Sequence, residues 1–185
     1  MKKILAVMGT AVTSLAYSQG IFMLNNYSPY DYYGNLMAMN FSGCVPAVMN
    51  NSPATMKVPA NSHMGNGLAW RIDNYRDQFS TSLYPVTNWI VTLGPPSSTI
   101  RPWNHPSLMP GPAGVISNNT RWVTSKFQMH YPGTGNPVIG FNTNIGDATP
   151  NSCIVSVDYF STPNGSAEWF TITGTETITY FQIYP

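Results

Sequence analysis

Few residues of this chain could support acid–base chemistry, because charged side chains make up only 8% of it. The histidines are His63, His105 and His130. A glycosidase needs two carboxylates in one cleft, and Asp158 and Glu168 are the best pair because their predicted strands are neighbours. A small secreted hydrolase that uses His105 or His130 with Asp158 or Glu168 is therefore the main alternative to a binding function.

Sequence motifs that identify the common catalytic folds do not occur in the chain. It has no Gly-x-Ser-x-Gly elbow, no His-Glu-x-x-His zinc helix and no phosphate-binding glycine loop. A Ser–His–acid triad stays open, since its members need not be close in sequence. We therefore assign no catalytic residue and expect no cofactor.

Methionine beside histidine is a second combination with chemical potential. The pairs His63-Met64 and Met129-His130, with Met56 and Met109, offer thioether and imidazole groups. These are ligands that suit copper, although methionine also fills irregular cores. Because the spacing specifies no site, no metal ligand is assigned, and a copper-binding protein of a bacterial envelope is a further alternative.

Tyrosine and tryptophan are more abundant than a core of this size is expected to hold. Such rings are enriched where an apolar face meets water, and they anchor ligands or partners. Trp103 is the leading candidate, because it lies in the proline-rich segment Arg101-Pro102-Trp103-Asn104-His105, where a large ring either plugs the fold or binds. The ligand-binding residues predicted on this basis are Arg101, Trp103, Asn104, His105, Trp122 and Tyr131.

The first eighteen residues have the layout of a secretory signal peptide. Lys2 and Lys3 precede an apolar stretch at residues 4–15, and Ala16-Tyr17-Ser18 has small residues at the spacing that a signal peptidase recognises. The stretch is shorter than the ~20 residues that a membrane helix needs. We expect cleavage after Ser18, which makes Gln19 the first residue of a secreted or periplasmic protein, and the short leader is typical of bacteria.

Removal of this leader changes the charge balance. Without Lys2 and Lys3, six basic residues face seven acidic ones, so the net charge is −1. Nucleic-acid binding needs a basic surface, and this chain offers none. No later apolar segment is long enough for a membrane helix. The expected partners are a carbohydrate, a cell-surface ligand or a protein, and self-association is also open.

The two cysteines, Cys44 and Cys153, both follow the expected cleavage point. In an oxidising compartment they are expected to form a disulfide. Such a bridge would close a loop of about 110 residues and contribute roughly 4–5 kcal/mol in the chain-entropy model. It would also hold an early strand close to the C-terminal sheet.

Strands are the elements that must position these side chains. Apolar and polar residues alternate over 153–159, 167–173 and 175–184, with Pro, Asn and Gly between them, which predicts three consecutive antiparallel strands. Threonine at every second position from Thr171 to Thr179 predicts one hydroxyl-rich face. Further strands are predicted at residues 20–25, 30–41, 55–58, 68–72, 89–93, 115–117, 121–131 and 138–142.

The remaining segments favour a fold without substantial helix. A helical turn is predicted at residues 73–79, and the prolines of residues 94–114 exclude a central strand there. We predict one all-β domain over residues 19–185, a single-domain antiparallel β-sandwich of jelly-roll or Greek-key type with about nine short strands.

These observations together favour a secreted or periplasmic bacterial module that binds a carbohydrate, a cell surface or a partner protein without catalysis. A membrane-active toxin component is a variant of this hypothesis, because low charge and aromatic loops on a β-fold suit it as well. Histidine and acidic side chains converging in one cleft would favour the hydrolase instead. Exposed tyrosine and tryptophan along one rim would favour binding.

Overall fold

The computed structural model describes residues 19–50, 56–78 and 85–185. Within these ranges the chain forms thirteen strands in two packed sheets, and two 3-10 turns lie at Met64–Asn66 and Ser117–Asn119. The prediction of an all-β sandwich is confirmed, although the strands outnumber the nine expected. The predicted signal peptide lies outside the described residues. Across the described part of the chain, no helix has the length and apolar character to cross a membrane.

The first sheet, sheet A, contains six strands. They are β1 (Ile21–Asn26), β5 (Trp70–Asp73), β6 (Arg76–Asp77), β11 (Tyr159–Thr162), β12 (Gly165–Thr173) and β13 (Thr177–Tyr184). Their order across the sheet is β11-β12-β13-β1-β5-β6. Every pairing is antiparallel except that of β1 with β13, which runs parallel from Ile21 opposite Ile178 to Asn26 opposite Ile183.

The second sheet, sheet B, packs against the first and is antiparallel throughout. Its strands are β2 (Asp31–Met39), β3 (Ala47–Asn50), β4 (Lys57–Val58), β7 (Asn88–Gly94), β8 (Ser97–Pro102), β9 (Arg121–His130) and β10 (Pro137–Gly146). The order is β10-β9-β2-β3-β7-β8, with β4 paired to β2. Strand β8 is an edge strand, which agrees with the prediction that proline excludes a central strand from this segment.

Aromatic side chains from both sheets form the core between them. Phe22 of β1 lies 5.6 Å from the ring of Trp122 on β9, and Phe181 of β13 lies 5.7 Å from Tyr32 on β2. Four of the five tryptophans are buried, all except Trp103. Among the described tyrosines only Tyr32 and Tyr75 are buried. The core therefore takes most of the tryptophans, and most of the tyrosines lie outside it, as expected.

The predicted disulfide between Cys44 and Cys153 is confirmed. Their Cα atoms are 5.3 Å apart and the cysteines are separated by 109 positions. Cys44 lies in the turn between β2 and β3, and Cys153 lies in the connection between β10 and β11. The bridge thus joins a turn of sheet B to the segment that leads into sheet A.

Some strand predictions are wrong, and local hydrogen bonds explain the clearest case. The segment predicted as a strand at residues 153–159 is mostly irregular, and β11 begins only at Tyr159. The Asn151 side chain accepts hydrogen bonds from the main-chain N–H groups of Cys153 and Ile154, both at 2.9 Å. Such a side-chain turn competes with a strand ladder for the same backbone groups.

The predicted helical turn at residues 73–79 is also wrong over its described part, residues 73–78, because this part contains β6 instead. Asn74 has a φ of 53° and begins the tight turn between β5 and β6. Asparagine tolerates this left-handed conformation better than most residues. The short strand predicted at residues 115–117 is replaced by the 3-10 turn at Ser117–Asn119.

Candidate functional site

A cleft of about 310 Å³ lies where the two sheets end along the same side of the sandwich. One wall is the β5–β6 hairpin of sheet A, and the other is the loop that follows β8 of sheet B. We call it the Trp103 cleft. It is lined by Asp73, Asn74, Tyr75, Arg76, Gln78, Trp103, Leu108, Met109 and Pro110. The fold thus brings the leading sequence candidate, Trp103, against residues that lie about 30 positions earlier.

The Trp103 indole is half-buried and is held from two sides. Its main-chain N–H donates a hydrogen bond to the Thr87 carbonyl at 3.0 Å, and its ring packs against the aromatic core. The Arg76 guanidinium lies over the ring, 5.0 Å from its centroid. A cation over an indole face is an attractive arrangement, so the ring is oriented while part of it stays accessible.

Buried side chains form a rigid floor beneath the cleft. The Tyr75 hydroxyl is hydrogen-bonded to Thr120 Oγ1 at 2.8 Å, and the Trp89 indole N–H donates to the Tyr75 carbonyl at 2.9 Å. Leu108 is fully buried beside them. Burial raises the pKa of Tyr75 well above its ordinary value, and the hydrogen bond with Thr120 offsets this only in part. The phenol is therefore neutral at physiological pH.

The β5–β6 wall carries charges of both signs. Arg71 Nε donates to Asp73 Oδ1 at 2.7 Å, and this hydrogen bond raises the pKa of Arg71. The Asp73 carboxylate is thus already engaged by an arginine of its own strand. Arg76, by contrast, is exposed at the cleft and stacks on Trp103. An exposed guanidinium can turn from the indole towards a ligand oxygen at little cost.

Arg101 and His105 shape the loop on the other wall. Arg101 Nη1 donates to Ser107 Oγ at 2.6 Å, and His105 Nδ1 lies 2.8 Å from the same oxygen. The Ser107 main-chain N–H also donates to His105 Nδ1 at 3.2 Å. These contacts make a compact turn, and Asn104 is exposed within it beside Trp103.

Gly114 closes this loop at a point where a side chain does not fit. A Cβ atom there would overlap the Met109 carbonyl oxygen and the Ser117 hydroxyl. The Ser117 hydroxyl in turn donates to the Met109 carbonyl at 2.8 Å. A backbone approach as close as this requires glycine at position 114. Together with the hydrogen bond from Ser117, this close contact holds Met109 at the cleft.

Two of the predicted binding residues lie away from the Trp103 cleft. Trp122 is 2% exposed and packs in the core against Phe22, Tyr75 and Trp89, so it offers no ring face to a ligand. Tyr131 is 46% exposed but follows β9, beside the opposite edge of sheet B, where its ring contacts Tyr30. The six predicted residues therefore do not form one site, and only Trp103 lines the cleft.

Sequence reasoning missed the entire β5–β6 wall of the cleft. Arg76 and Asp73 were not recognised as site residues, because their segment was predicted to be a polar helical turn. Asn74, a residue that favours left-handed turns, was the available signal for a hairpin there. Nothing in the sequence, however, shows that the hairpin meets the loop after β8, because that contact depends on which strands end each sheet.

The residues of the alternative hydrolase are placed as follows. Asp158 and Glu168 lie on neighbouring segments, since the Trp169 N–H donates to the Asp158 carbonyl and Tyr159 pairs with Glu168. Glu168 accepts a hydrogen bond from the Tyr184 hydroxyl at 2.9 Å; burial and this contact raise the pKa of Tyr184 to about 12.

The histidines make other contacts. His130 Nδ1 lies 2.8 Å from the Gly135 carbonyl, and His105 Nδ1 contacts Ser107. Within the described ranges, no hydrogen bond or ion pair joins either histidine to a carboxylate.

The methionine and histidine residues considered as copper ligands are scattered. Met56 and Met129 are buried in the core, whereas Met64 and Met109 are exposed. His63 Nδ1 accepts a hydrogen bond from the Gly65 N–H at 3.1 Å. Among residues 19–50, 56–78 and 85–185, no group of three or more His, Cys, Asp or Glu side chains could hold a metal ion.

Four of the five threonines of the last hairpin share one face, as predicted, whereas Thr175 lies in the turn between β12 and β13. Thr171 pairs with Thr179 across β12 and β13, and their hydroxyl oxygens are 3.0 Å apart. Thr173 likewise faces Thr177. The hydroxyls near the hairpin end thus partly satisfy one another.

No family model, no curated protein and no solved structure matches this chain.

Proposed function

We propose that this protein is a non-catalytic binding module and that it holds a carbohydrate in the Trp103 cleft. The observation that supports this most directly is a half-buried, oriented indole at a cleft of about 310 Å³. A largely preformed cleft with one aromatic surface and a few polar groups is typical of small-ligand sites. The indole would stack on the apolar face of a sugar ring, and Arg76 would donate hydrogen bonds to its hydroxyls.

The same proposal includes export by a signal peptide at residues 1–18, cleaved after Ser18, to the periplasm or the exterior of a bacterial cell. The Cys44–Cys153 disulfide supports it, since such bonds persist in oxidising compartments. The proposal also fits the small net charge of the protein without its leader. An uncharged sugar is bound by hydrogen bonds and ring stacking and does not need a strongly charged surface.

The first prediction is that Trp103→Ala weakens retention on a polysaccharide. The mature, oxidised protein is incubated with a panel of insoluble polysaccharides, with liposomes and with whole cells, and the bound fraction is measured. We expect the wild type to bind at least one polysaccharide and Trp103→Ala to bind it at least about tenfold more weakly, as is common for a central aromatic contact. Arg76→Ala is expected to weaken the same interaction by a smaller factor.

Tyr159→Ala is the matched control, because Tyr159 is 60% exposed and does not line the Trp103 cleft. It should bind as the wild type does. Near-ultraviolet circular dichroism and a melting curve check that Trp103→Ala stays folded. Absence of binding to every polysaccharide would contradict the proposal, and retention on liposomes alone would favour the membrane-active variant instead.

A further inference from the structure

Gln19 lies two positions before the first residue of β1, and its side chain is enclosed, with 1% of the residue exposed. Its main-chain N–H donates to the Ser117 carbonyl at 3.2 Å. Its side-chain oxygen, Oε1, accepts a hydrogen bond from Thr120 Oγ1 at 2.6 Å. Both contacts go to one short segment of the chain, residues 117–120.

The side-chain nitrogen of Gln19 differs from these two atoms. Nε2 is buried, yet within the described part of the chain it has no hydrogen-bond partner. Folded proteins seldom leave a buried amide in this state, because each unpaired polar group costs about 1–3 kcal/mol. The site therefore accepts one donor and one acceptor from Gln19 and has no partner for its amide NH₂.

We propose that Gln19 is a modification site, where the residue closes to a pyroglutamyl ring once it becomes the N-terminus. The inference rests on the cleavage after Ser18 proposed above. In its neutral form the α-amino nitrogen attacks Cδ of its own side chain, and a C–N bond forms. The Cδ–Nε2 bond breaks, and Nε2 leaves as ammonia with the proton displaced from the amine. No oxidant or reductant takes part.

The product matches the surroundings of Gln19 better than the open residue does. The lactam keeps one N–H, which Ser117 accepts, and one carbonyl, to which Thr120 donates. It loses Nε2, the one group of the side chain without a partner. Closure also removes the positive charge of a free terminus, and no carboxylate is among the hydrogen-bond partners of Gln19 in the described residues to balance that charge.

The ring would contribute to the architecture of the Trp103 cleft. Thr120 Oγ1 contacts both Gln19 and the hydroxyl of Tyr75, which lies in the cleft floor. The modified residue would thus fasten the start of β1 to that floor by two neutral hydrogen bonds. Burial of the lactam would in addition shield it from hydrolysis.

The test measures the mass of the mature N-terminal peptide. The full chain is expressed with its own leader in a bacterium, the exported protein is purified, and its first proteolytic peptide is analysed by mass spectrometry. We expect a peptide that begins at residue 19 and is lighter than the encoded sequence by one molecule of ammonia. A peptide that begins at residue 19 and keeps its full mass after prolonged incubation at neutral pH would overturn the proposal.

Gln19→Met is the matched control, because its unbranched side chain of similar length has no amide group that could close the ring. Its N-terminal peptide should start at residue 19 with the full encoded mass; loss of ammonia from this variant would place the reaction elsewhere in the peptide and overturn the proposal. A start at another residue would contradict both the cleavage and the ring. None of these outcomes depends on carbohydrate retention. A failure of the binding proposal can therefore be told apart from a failure of the ring-closure proposal.

Discussion

Asp77 is a single buried carboxylate on which two separate parts of the chain depend. Its Oδ2 accepts a hydrogen bond from the Trp70 indole at 3.0 Å and another from the Val86 main-chain N–H at 2.6 Å. The residue is fully buried at the end of β6. It therefore fixes the β5–β6 hairpin, one wall of the Trp103 cleft, to the segment that leads into β7.

We predict that Asp77→Ala lowers the free energy of unfolding by about 2–4 kcal/mol, because it leaves two buried donors without an acceptor. Urea denaturation of the oxidised protein measures the change. Asp73→Ala is the matched control, since Asp73 forms a partly exposed ion pair with Arg71, and such pairs contribute about 1 kcal/mol or less. Equal losses in the two variants would contradict the role given to Asp77.

Single residues were predicted from the sequence only where local context was decisive. Trp103 stood out because a large ring in a proline-rich loop has few purposes, and it does line the cleft. Trp122 was mistaken for a surface residue because alternation along β9 does not show how completely both faces are covered. Arg76 was missed since its contact with Trp103 depends on the packing of the sheets.

At the scale of elements, the disulfide is a covalent long-range constraint between two connections whose neighbouring strands are not paired. It fastens the turn after β2 to the irregular segment before β11. That segment has few ladder hydrogen bonds of its own; Ile145 and Val157 form an isolated bridge. The bond therefore substitutes for strand pairing over this stretch.

We predict that the double variant Cys44→Ser with Cys153→Ser loses about 4–5 kcal/mol of stability, because the unfolded chain gains the entropy of a loop of 109 residues. Guanidinium denaturation of the variant and of the oxidised wild type gives the difference. The wild type treated with a reducing agent should match the variant. A loss below about 1 kcal/mol would contradict the prediction, because it would show that the disulfide does not substantially reduce the conformational entropy of the unfolded chain.

Strand positions were predictable along much of the chain, but strand partners were not. The periodicity that marks β12 and β13 also sets their hairpin, because a short turn joins them. The parallel pairing of β1 with β13 joins residues more than 150 positions apart, and alternation carries no information about such a partner. The Trp103 cleft lies between the edges of two sheets. It could not be predicted from the sequence either, because the pattern of alternation does not show which strands form those edges.

For the molecule as a whole, two enclosed phenols set the response to alkaline pH. Tyr32 is fully buried and its hydroxyl lies 2.7 Å from Ser125 Oγ, while Tyr75 contacts Thr120. Burial raises the pKa of each above its ordinary value, and the hydrogen bond lowers it only in part. Both phenols stay neutral in the folded state at pH values where an unfolded tyrosine ionises.

We predict that the protein loses stability as the pH rises above about 10, the ordinary pKa of tyrosine. Because the folded-state pKa values are raised, the phenols stabilise the fold fully below that pH, and the contribution is lost progressively above it. Melting temperatures between about pH 8 and pH 11 measure the effect. Tyr75→Phe should give a flatter profile, whereas Tyr131→Phe, which removes an exposed hydroxyl, should keep the wild-type slope.

The placement of β13 between β12 and β1 has a consequence for biosynthesis. A chain delivered from its amino end presents β1 more than 150 residues before β13, the strand that completes its hydrogen bonds. Until then, Phe22 and Leu24 lack the strand that lies beside β1 in the finished sheet. Sheet A is complete only once β13 has emerged, and during that delay the open edge of β1 is exposed to aggregation.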